Sequence, residues 1–376
     1  MTEKYTALYE AHKQLGASFT DFGGWQMPLK YSSELAEHKA VRSAAGLFDL
    51  SHMGEVEVSG PDAGAFLDYA LVGKLSAVKV GRAKYSLITN NDGGIIDDLI
   101  SYRLADDSYL VVPNAGNADA VAAELASRAE GFDVAVNNVS AETSLVAVQG
   151  PVAEAILLDL VPAEQAETVT GMKYYAAATV GIRAAERTLD LLVARTGYTG
   201  EDGFEIYVPN DDAADLWSAL LAAGEGRGLI PAGLACRDSL RLEAGMPLYG
   251  NELTLDTDPY AAGLGPVVAL SKEGNFVGRS ALETRKAAGP ARRLVGLKGS
   301  GRRSARSHYP VLSSDGETVI GEVTSGAPSP TLGFPIALAY VDEAYTQPGT
   351  ELNVDLRGKP ETFTVVELPF YKRSKQ

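Results

Sequence analysis

Hydrophobic and polar residues alternate along this chain with two periods, and one stretch combines both kinds of information. Residues 84–102 read KYSLITNNDGGIIDDLISY. Two apolar runs, 85–89 and 95–100, flank the turn cluster NNDGG, whose Asn and Gly residues accept positive φ, so the pattern predicts a β-hairpin. Asp97 and Asp98 are neighbours in its second strand and therefore point to opposite faces. Asp98 shares a face with Ile96 and Ile100, and Asp97 shares one with Ile95 and Leu99. An ionised carboxylate between aliphatic neighbours is costly unless it is bonded or paired. The two side chains diverge, which argues against a dyad sharing one proton. Two readings stay open. One acid faces water while the other caps the turn, or a cleft carboxylate with a raised pKa carries proton chemistry.

Helical spacing recurs at 6–17, 34–45, 61–71, 118–129, 212–223 and 234–244, with Gly46 a plausible C-cap of the second. Alternating strands are expected at 55–58, 109–112, 144–149, 189–194 and 204–208, and Tyr174-Tyr175 is read as another strand. DFGGWQMPL, from Asp21, reads as a tight loop with Trp25 in the core. From about residue 256 the character changes: Gly, Ser and Pro multiply and short strands follow at 293–297, 310–312, 319–323, 337–341, 351–356 and 362–368. That spacing predicts a small β-barrel or sandwich.

Composition narrows the classes. The chain has 376 residues, enough for two or three domains. Lys plus Arg number 33 against 49 Asp plus Glu, a net charge of −16 that weighs against a general nucleic-acid binder. Cys236 is the single cysteine and the four histidines are scattered, so neither a disulfide framework nor a Cys- or His-based metal site is expected. No apolar run approaches the ~20 residues that span a bilayer, and no apolar leader is evident at the N-terminus; a cytoplasmic protein is expected.

Two further stretches carry candidate chemistry. RTGYTGEDGFE, from Arg195, has three glycines within seven residues, which demands an unusual backbone path. It delivers Glu205 into a strand between Phe204 and Ile206, either as a solvated surface acid or as two acceptors for a flat ring bearing N–H donors. Arg237 and Arg241 lie one turn apart on one face of the 234–244 helix, and an Arg near a helix start does not satisfy the dipole, so an anionic partner is suspected. His52 at a strand entry is read as structural. Residues 272–306 are locally basic: a solvated face, or a surface for an acidic carrier or an anionic tail.

The blocks DFGGWQMPLKY (from Asp21), FDLSHMGE (from Phe48), YSLITNNDGGIIDD (from Tyr85), RTGYTGEDGFE (from Arg195), CRDSLRLEAGMPLYG (from Cys236) and GEVTSGAPSPTLG (from Gly321) run in order over nearly the whole chain. Together they resemble the T-proteins, the folate-binding aminomethyltransferase family of the glycine cleavage system. The resemblance implies an α+β fold: a three-domain cloverleaf around a central folate-binding hole. Domain 1 would be 1–55 plus 140–250, domain 2 would be 56–139 with the hairpin, and domain 3 would be a C-terminal β-barrel at 251–376.

It also implies an activity. The one-carbon unit of an aminomethyl group on the lipoyl arm of the H-protein passes to tetrahydrofolate as co-substrate, giving ammonia, dihydrolipoyl H-protein and 5,10-methylenetetrahydrofolate, without a metal. By motif match Asp98 is the catalytic carboxylate, Asp97 is structural, and Glu205 anchors the pterin. Met53, Tyr85, Asn114, Tyr198 and Arg237 line the folate site, with Arg373 reaching it from the tail. The implied partners are lipoylated H-protein and folate, with no nucleic acid and no membrane. The alternatives are another folate-dependent transferase or demethylase of the same fold, and a non-catalytic folate-binding factor. The chain departs from the family's pattern at 259–268, where an acid and a Trp are often found and this sequence has Tyr260 followed by small residues.

Overall fold

The structure, a computed structural model, describes residues 3–374. The chain divides into two compact units. The first holds the chain up to Leu67, Leu75–Tyr85 and Leu99–Arg237; the second holds Asp68–Lys74, Ser86–Asp98 and the chain from Asp238 onward.

A six-stranded sheet organises the first unit. Its order is Ala177–Ala184, Arg187–Ala194, Gly203–Pro209, Thr143–Gln149, Ala45–Asp49, Leu229–Pro231. The last pair is parallel and the others antiparallel. Phe204, Ile206 and Val208 point into a core with Leu47, Val146 and Val148. Leu216, Trp217 and Leu220 of the Ala213–Gly224 helix belong to the same core. Strand alternation therefore sends Glu205 and Tyr207 to the opposite face.

A second sheet has five strands in the order Arg82–Thr89, Ile95–Ala105, Ser108–Val112, Val56–Ser59, Ala135–Asn138. The expected hairpin is its first pair. Asn90 closes the turn: its Oδ1 accepts from the Asp92 and Gly94 amides at 3.0 and 2.8 Å. Gly93 takes φ 78°, and a Cβ on Gly94 would sit 1.9 Å from the Leu255 carbonyl oxygen, so neither position tolerates another residue without rearrangement.

In the second unit a barrel closes in the order Arg292–Gly299, Pro335–Asp342, Val319–Pro328, Pro310–Leu312, Glu351–Asp355, Pro360–Val366. Arg292–Gly299 pairs on both edges, which completes the ring. Leu297, Val323, Val341, Leu352 and Phe363 fill it. The α+β class and the C-terminal barrel follow the expectation.

Four local expectations are corrected. Gly46 is not a helix cap but lies inside the Ala45–Asp49 strand, where a Cβ would come 2.6 Å from Val41 Cγ2; the glycine serves close packing. The DFGGWQMPL stretch is a hairpin, Ser18–Phe22 with Trp25–Lys30, turning at Gly23 and Gly24 with φ 61° and 88°. In it Met27, not Trp25, is the fully buried residue. Tyr174 and Tyr175 form a turn before the Ala177–Ala184 strand, and Tyr175 adopts φ 62°. The 6–17 stretch is helical only over Tyr9–Gln14.

Candidate functional site

In the first unit the Arg195–Gly203 loop is held by ionic and backbone bonds. Arg195 Nε donates to Asp202 Oδ1 at 3.0 Å, and Arg195 Nη1 pairs with Glu154 Oε2 at 2.9 Å. Arg42 Nη1 donates to the Thr199 carbonyl at 2.7 Å and pairs with Glu201 at 2.9 Å. Gln149 bridges the loop, donating to the Thr196 carbonyl and accepting from Thr199 Oγ1, both at 3.0 Å. Two of the three glycines exist for Gln149: a Cβ at Gly197 or Gly203 would lie 2.0 and 2.4 Å from its amide. Only Gly200 uses positive φ, at 79°.

This loop presents Thr196 and Tyr198, and the Gly203–Pro209 strand after it carries Glu205. Glu205 Oε2 accepts from Thr196 Oγ1 at 2.5 Å and from Tyr102 Oη at 3.4 Å. The two hydroxyls are themselves 3.0 Å apart. Among the described residues no hydrogen bond reaches Glu205 Oε1, and the side chain is half-buried. Burial pushes its carboxyl above the usual range, opposed by Thr196, Arg237 and Tyr102. The Arg237 guanidinium stacks over the Tyr198 ring at 4.8 Å, and among the described residues it has no carboxylate within ion-pair distance. Burial pulls its pKa down, while Tyr198 and Glu205 act the other way.

Met53 and Asn114 mark turns in the same unit. The Met53 amide closes a turn onto the Leu50 carbonyl at 2.9 Å, and the Asn114 carbonyl accepts from the Asn117 amide at 3.0 Å. Both side chains are half-buried, as is Tyr85 in the Arg82–Thr89 strand. His52 is 2% exposed and packs edge-on against Phe22; burial, then Arg237, hold its pKa down to about 4 with Asp49 opposing, so it is neutral at pH 7. Its Nδ1 has no partner among the described residues.

In the second unit the hairpin splits its two acids as alternation demands. Asp97 is fully buried on the face of Ile95 and Leu99, and Asp98 is half-buried on the face of Ile96 and Ile100. Tyr249 lies beside them. Its hydroxyl donates to the Ile95 carbonyl at 3.0 Å, and its pKa is raised by burial, then by Asp97 and Asp98. Arg373 is exposed in a tail whose Tyr371 amide donates to the Glu243 carbonyl at 2.8 Å.

Several cations of the locally basic 272–306 segment are engaged within the fold. Arg292, Arg293 and Arg303 pair with Asp342, Glu343 and Glu361. Buried Lys272 donates to the Leu71 and Gly73 carbonyls, and Arg279 pairs with Glu283. No helix among the described residues is long and apolar enough to cross a membrane.

Thus the first unit brings Tyr198, Glu205 and Arg237 together, and Asp98 stands on the hairpin of the second. Sequence reasoning missed Tyr102 and Thr196, which hold Glu205, and Tyr249 beside the acid pair. A signal existed for Tyr102: alternation from Asp98 through Ile100 puts it on the same strand face. Thr196 and Tyr249 sit inside quoted motifs, but nothing in their spacing assigns them a partner.

The chain matches two family models: one described as the GCVT N-terminal domain over residues 8–272, and one described as the glycine cleavage T-protein C-terminal barrel domain over 292–372. It is 55% identical over 393 aligned residues to the aminomethyltransferase of Corynebacterium jeikeium, covering 100% of each chain. It is 56% identical over 374 residues to that of Streptomyces coelicolor, covering 98% of each. Its fold matches the crystal structure of the glycine cleavage system aminomethyltransferase T from Bartonella henselae with a TM-score of 0.89, at 41% identity over 99% of both chains. The chain belongs to the glycine cleavage T-protein family and is an aminomethyltransferase of the glycine cleavage system.

Proposed function

We propose that this aminomethyltransferase takes the one-carbon unit from an aminomethyl group on the lipoyl arm of an H-protein and passes it to tetrahydrofolate. Ammonia, dihydrolipoyl H-protein and 5,10-methylenetetrahydrofolate are the products. The observation that carries the reading is the state of Glu205 and Arg237. One carboxylate oxygen of Glu205 is held by two hydroxyls and the other takes no bond from the described residues; nearby stands a cation paired with no carboxylate among them. That set fits a folate: Glu205 offers an acceptor to the amine and N–H donors of a pterin, and Arg237 offers charge to the anionic part of the molecule. Tyr198 gives a flat face, and Met53, Tyr85 and Asn114 complete the proposed lining. Tetrahydrofolate supplies the amine nitrogens that take up the carbon.

Asp98 is the proposed catalytic carboxylate. Its aliphatic strand neighbours shield it from water while leaving it half-open. It holds the attacking amine with its lone pair aimed and accepts the proton that the amine loses. Asp97, fully buried one residue before, is the proposed structural acid of the pair. Arg373 is the proposed tail contribution to folate binding.

The test is a transfer assay with aminomethyl-loaded H-protein, with and without tetrahydrofolate. Folate-dependent release of ammonia together with formation of methylenetetrahydrofolate is expected. Tetrahydrofolate binding without carbon transfer would overturn the proposed reaction.

A further inference from the structure

Glu55 is the last residue of the FDLSHMGE block, and nothing in the proposed reaction uses it. Its backbone is firmly placed. The Glu55 amide donates to Ser140 Oγ at 2.8 Å, and its carbonyl accepts from the Val139 amide at 2.9 Å, which extends the pairing of Val56–Ser59 with Ala135–Asn138 by one residue. Gly54 before it leaves no slack, since a Cβ there would come 2.6 Å from Ala118 Cβ. The side chain is fully buried, and among the described residues neither carboxylate oxygen has a hydrogen-bond partner. Buried polar groups are almost always bonded, so an orphaned carboxyl asks for a reason.

Register says where it points. Glu57 pairs with Leu110, and Leu110 pairs with Tyr102, so those three share a face of the five-stranded sheet. Glu55, two residues before Glu57, lies on that face too. Tyr207 lies within electrostatic reach of it: burial raises the Tyr207 hydroxyl well above its ordinary value, and Tyr102, Glu205 and Glu55 add to the effect. Tyr207 Oη likewise has no partner of ordinary geometry among the described residues. The Tyr207 and Tyr102 rings pack edge-on with centroids 5.9 Å apart, and the Tyr102 hydroxyl bonds Thr196 and Glu205. The order is Glu55, Tyr207, Tyr102, Glu205, all in the first unit.

We infer that Glu55 is a positioning residue for the folate site: a neutral carboxylic acid whose proton is donated toward the Tyr207 hydroxyl through one internal water, fixing the Tyr207–Tyr102 row that holds Glu205 Oε2. Burial acts alone on Glu55 and pushes its pKa up to about 9, which agrees with a protonated group at pH 7. A protonated carboxyl can donate, as an ionised one cannot. The arrangement also leaves Glu205 Oε1 free to accept from a ligand. The inference rests on the reading of Glu205 as the folate anchor.

Three variants test it: Glu55→Leu, which keeps bulk without a donor; Glu55→Gln, which keeps a neutral donor; and Tyr207→Phe. Tetrahydrofolate binding, turnover and infrared difference spectra are measured on each. Glu55→Leu is expected to weaken tetrahydrofolate binding about tenfold, roughly the worth of one net hydrogen bond, with turnover at saturating folate reduced much less. Glu55→Gln restores most of the affinity, and Tyr207→Phe adds little on top of Glu55→Leu. Parent-like affinity in Glu55→Leu, or full additivity with Tyr207→Phe, would overturn the inference. If Glu55→Leu does not fold, the spectrum decides: the parent-minus-Glu55→Gln difference at pH 7 must show the C=O stretch of a protonated carboxylic acid, and an ionised carboxylate band overturns the assignment. Glu205→Gln separates the two claims. Unchanged folate affinity in that variant removes the anchor reading, whereas the infrared result stands or falls with Glu55 alone.

Discussion

Two sets of arginines in this molecule meet opposite fates. On the barrel, Arg292, Arg293 and Arg303 each find a carboxylate on a neighbouring strand or loop. These pairs lie at the surface, where solvent screens them and each is worth little. Arg237 stands in a crowded part of the first unit and has an aromatic face beneath it but no carboxylate partner among the described residues. A cation drawn out of water without a counter-charge is expensive, and in the proposed reading folate supplies that charge. Charge density along the sequence therefore misleads. Arg292, Arg293 and Arg303 of the basic run are taken up in surface pairs, while Arg237 has no carboxylate partner among the described residues.

The largest expected effect concerns neither set. Asp98→Asn keeps the shape of the hairpin and removes the proton acceptor, so turnover should fall by ~10²–10⁴ while tetrahydrofolate still binds. Near-normal turnover would move the chemistry elsewhere. Next, Arg237→Gln should weaken tetrahydrofolate binding by about 10–100-fold, the range for a hydrogen bond to a charged group, with turnover at saturation changed far less. An unaltered dissociation constant would erase the contrast with the barrel arginines.

A comparable effect on stability comes from His52. Its pKa is about 4 in the folded protein, against an ordinary value near 6.5. Between those values the unfolded chain binds the extra proton, so stability is lost as pH falls through that window and is unaffected above it. The loss reaches about 3 kcal/mol by pH 4, since each pH unit between the two values removes roughly 1.4 kcal/mol. Denaturant unfolding at pH 7 and pH 4.5, on the parent and on His52→Gln, should show the parent losing more than the variant. Parallel losses would mean that His52 is charged in the fold. The smallest effect closes the comparison: Arg292→Gln or Arg293→Gln should cost below about 1 kcal/mol each and leave tetrahydrofolate binding untouched. A large change in affinity from either would restore a recognition role to the basic run.

The sequence disclosed what depends on local period. The hairpin with its diverging acids, the barrel strands and the strand carrying Glu205 were all readable, because alternation and turn chemistry act over a few residues. What it hid depends on residues far apart. Gly197 and Gly203 look like turn glycines but exist to admit Gln149 from another strand. Tyr102 is 103 residues from Glu205, and no spacing rule couples them. The pairing of Arg292 with Asp342 spans 50 residues, so the basic segment looked like a free surface. Gly46 resembled a helix cap because a helix does end just before it; only the packing against Val41 shows why it is glycine.

In the proposed division of labour Glu205 and Arg237 bind folate and Asp98 does the chemistry. The most direct test measures equilibrium tetrahydrofolate binding and single-turnover transfer from aminomethyl-loaded H-protein on Asp98→Asn and Arg237→Gln together. Asp98→Asn is expected to bind within about threefold of the parent, under 1 kcal/mol, and barely transfer, while Arg237→Gln binds poorly and transfers once saturated. The reverse pattern, with affinity lost in Asp98→Asn and kept in Arg237→Gln, would contradict it.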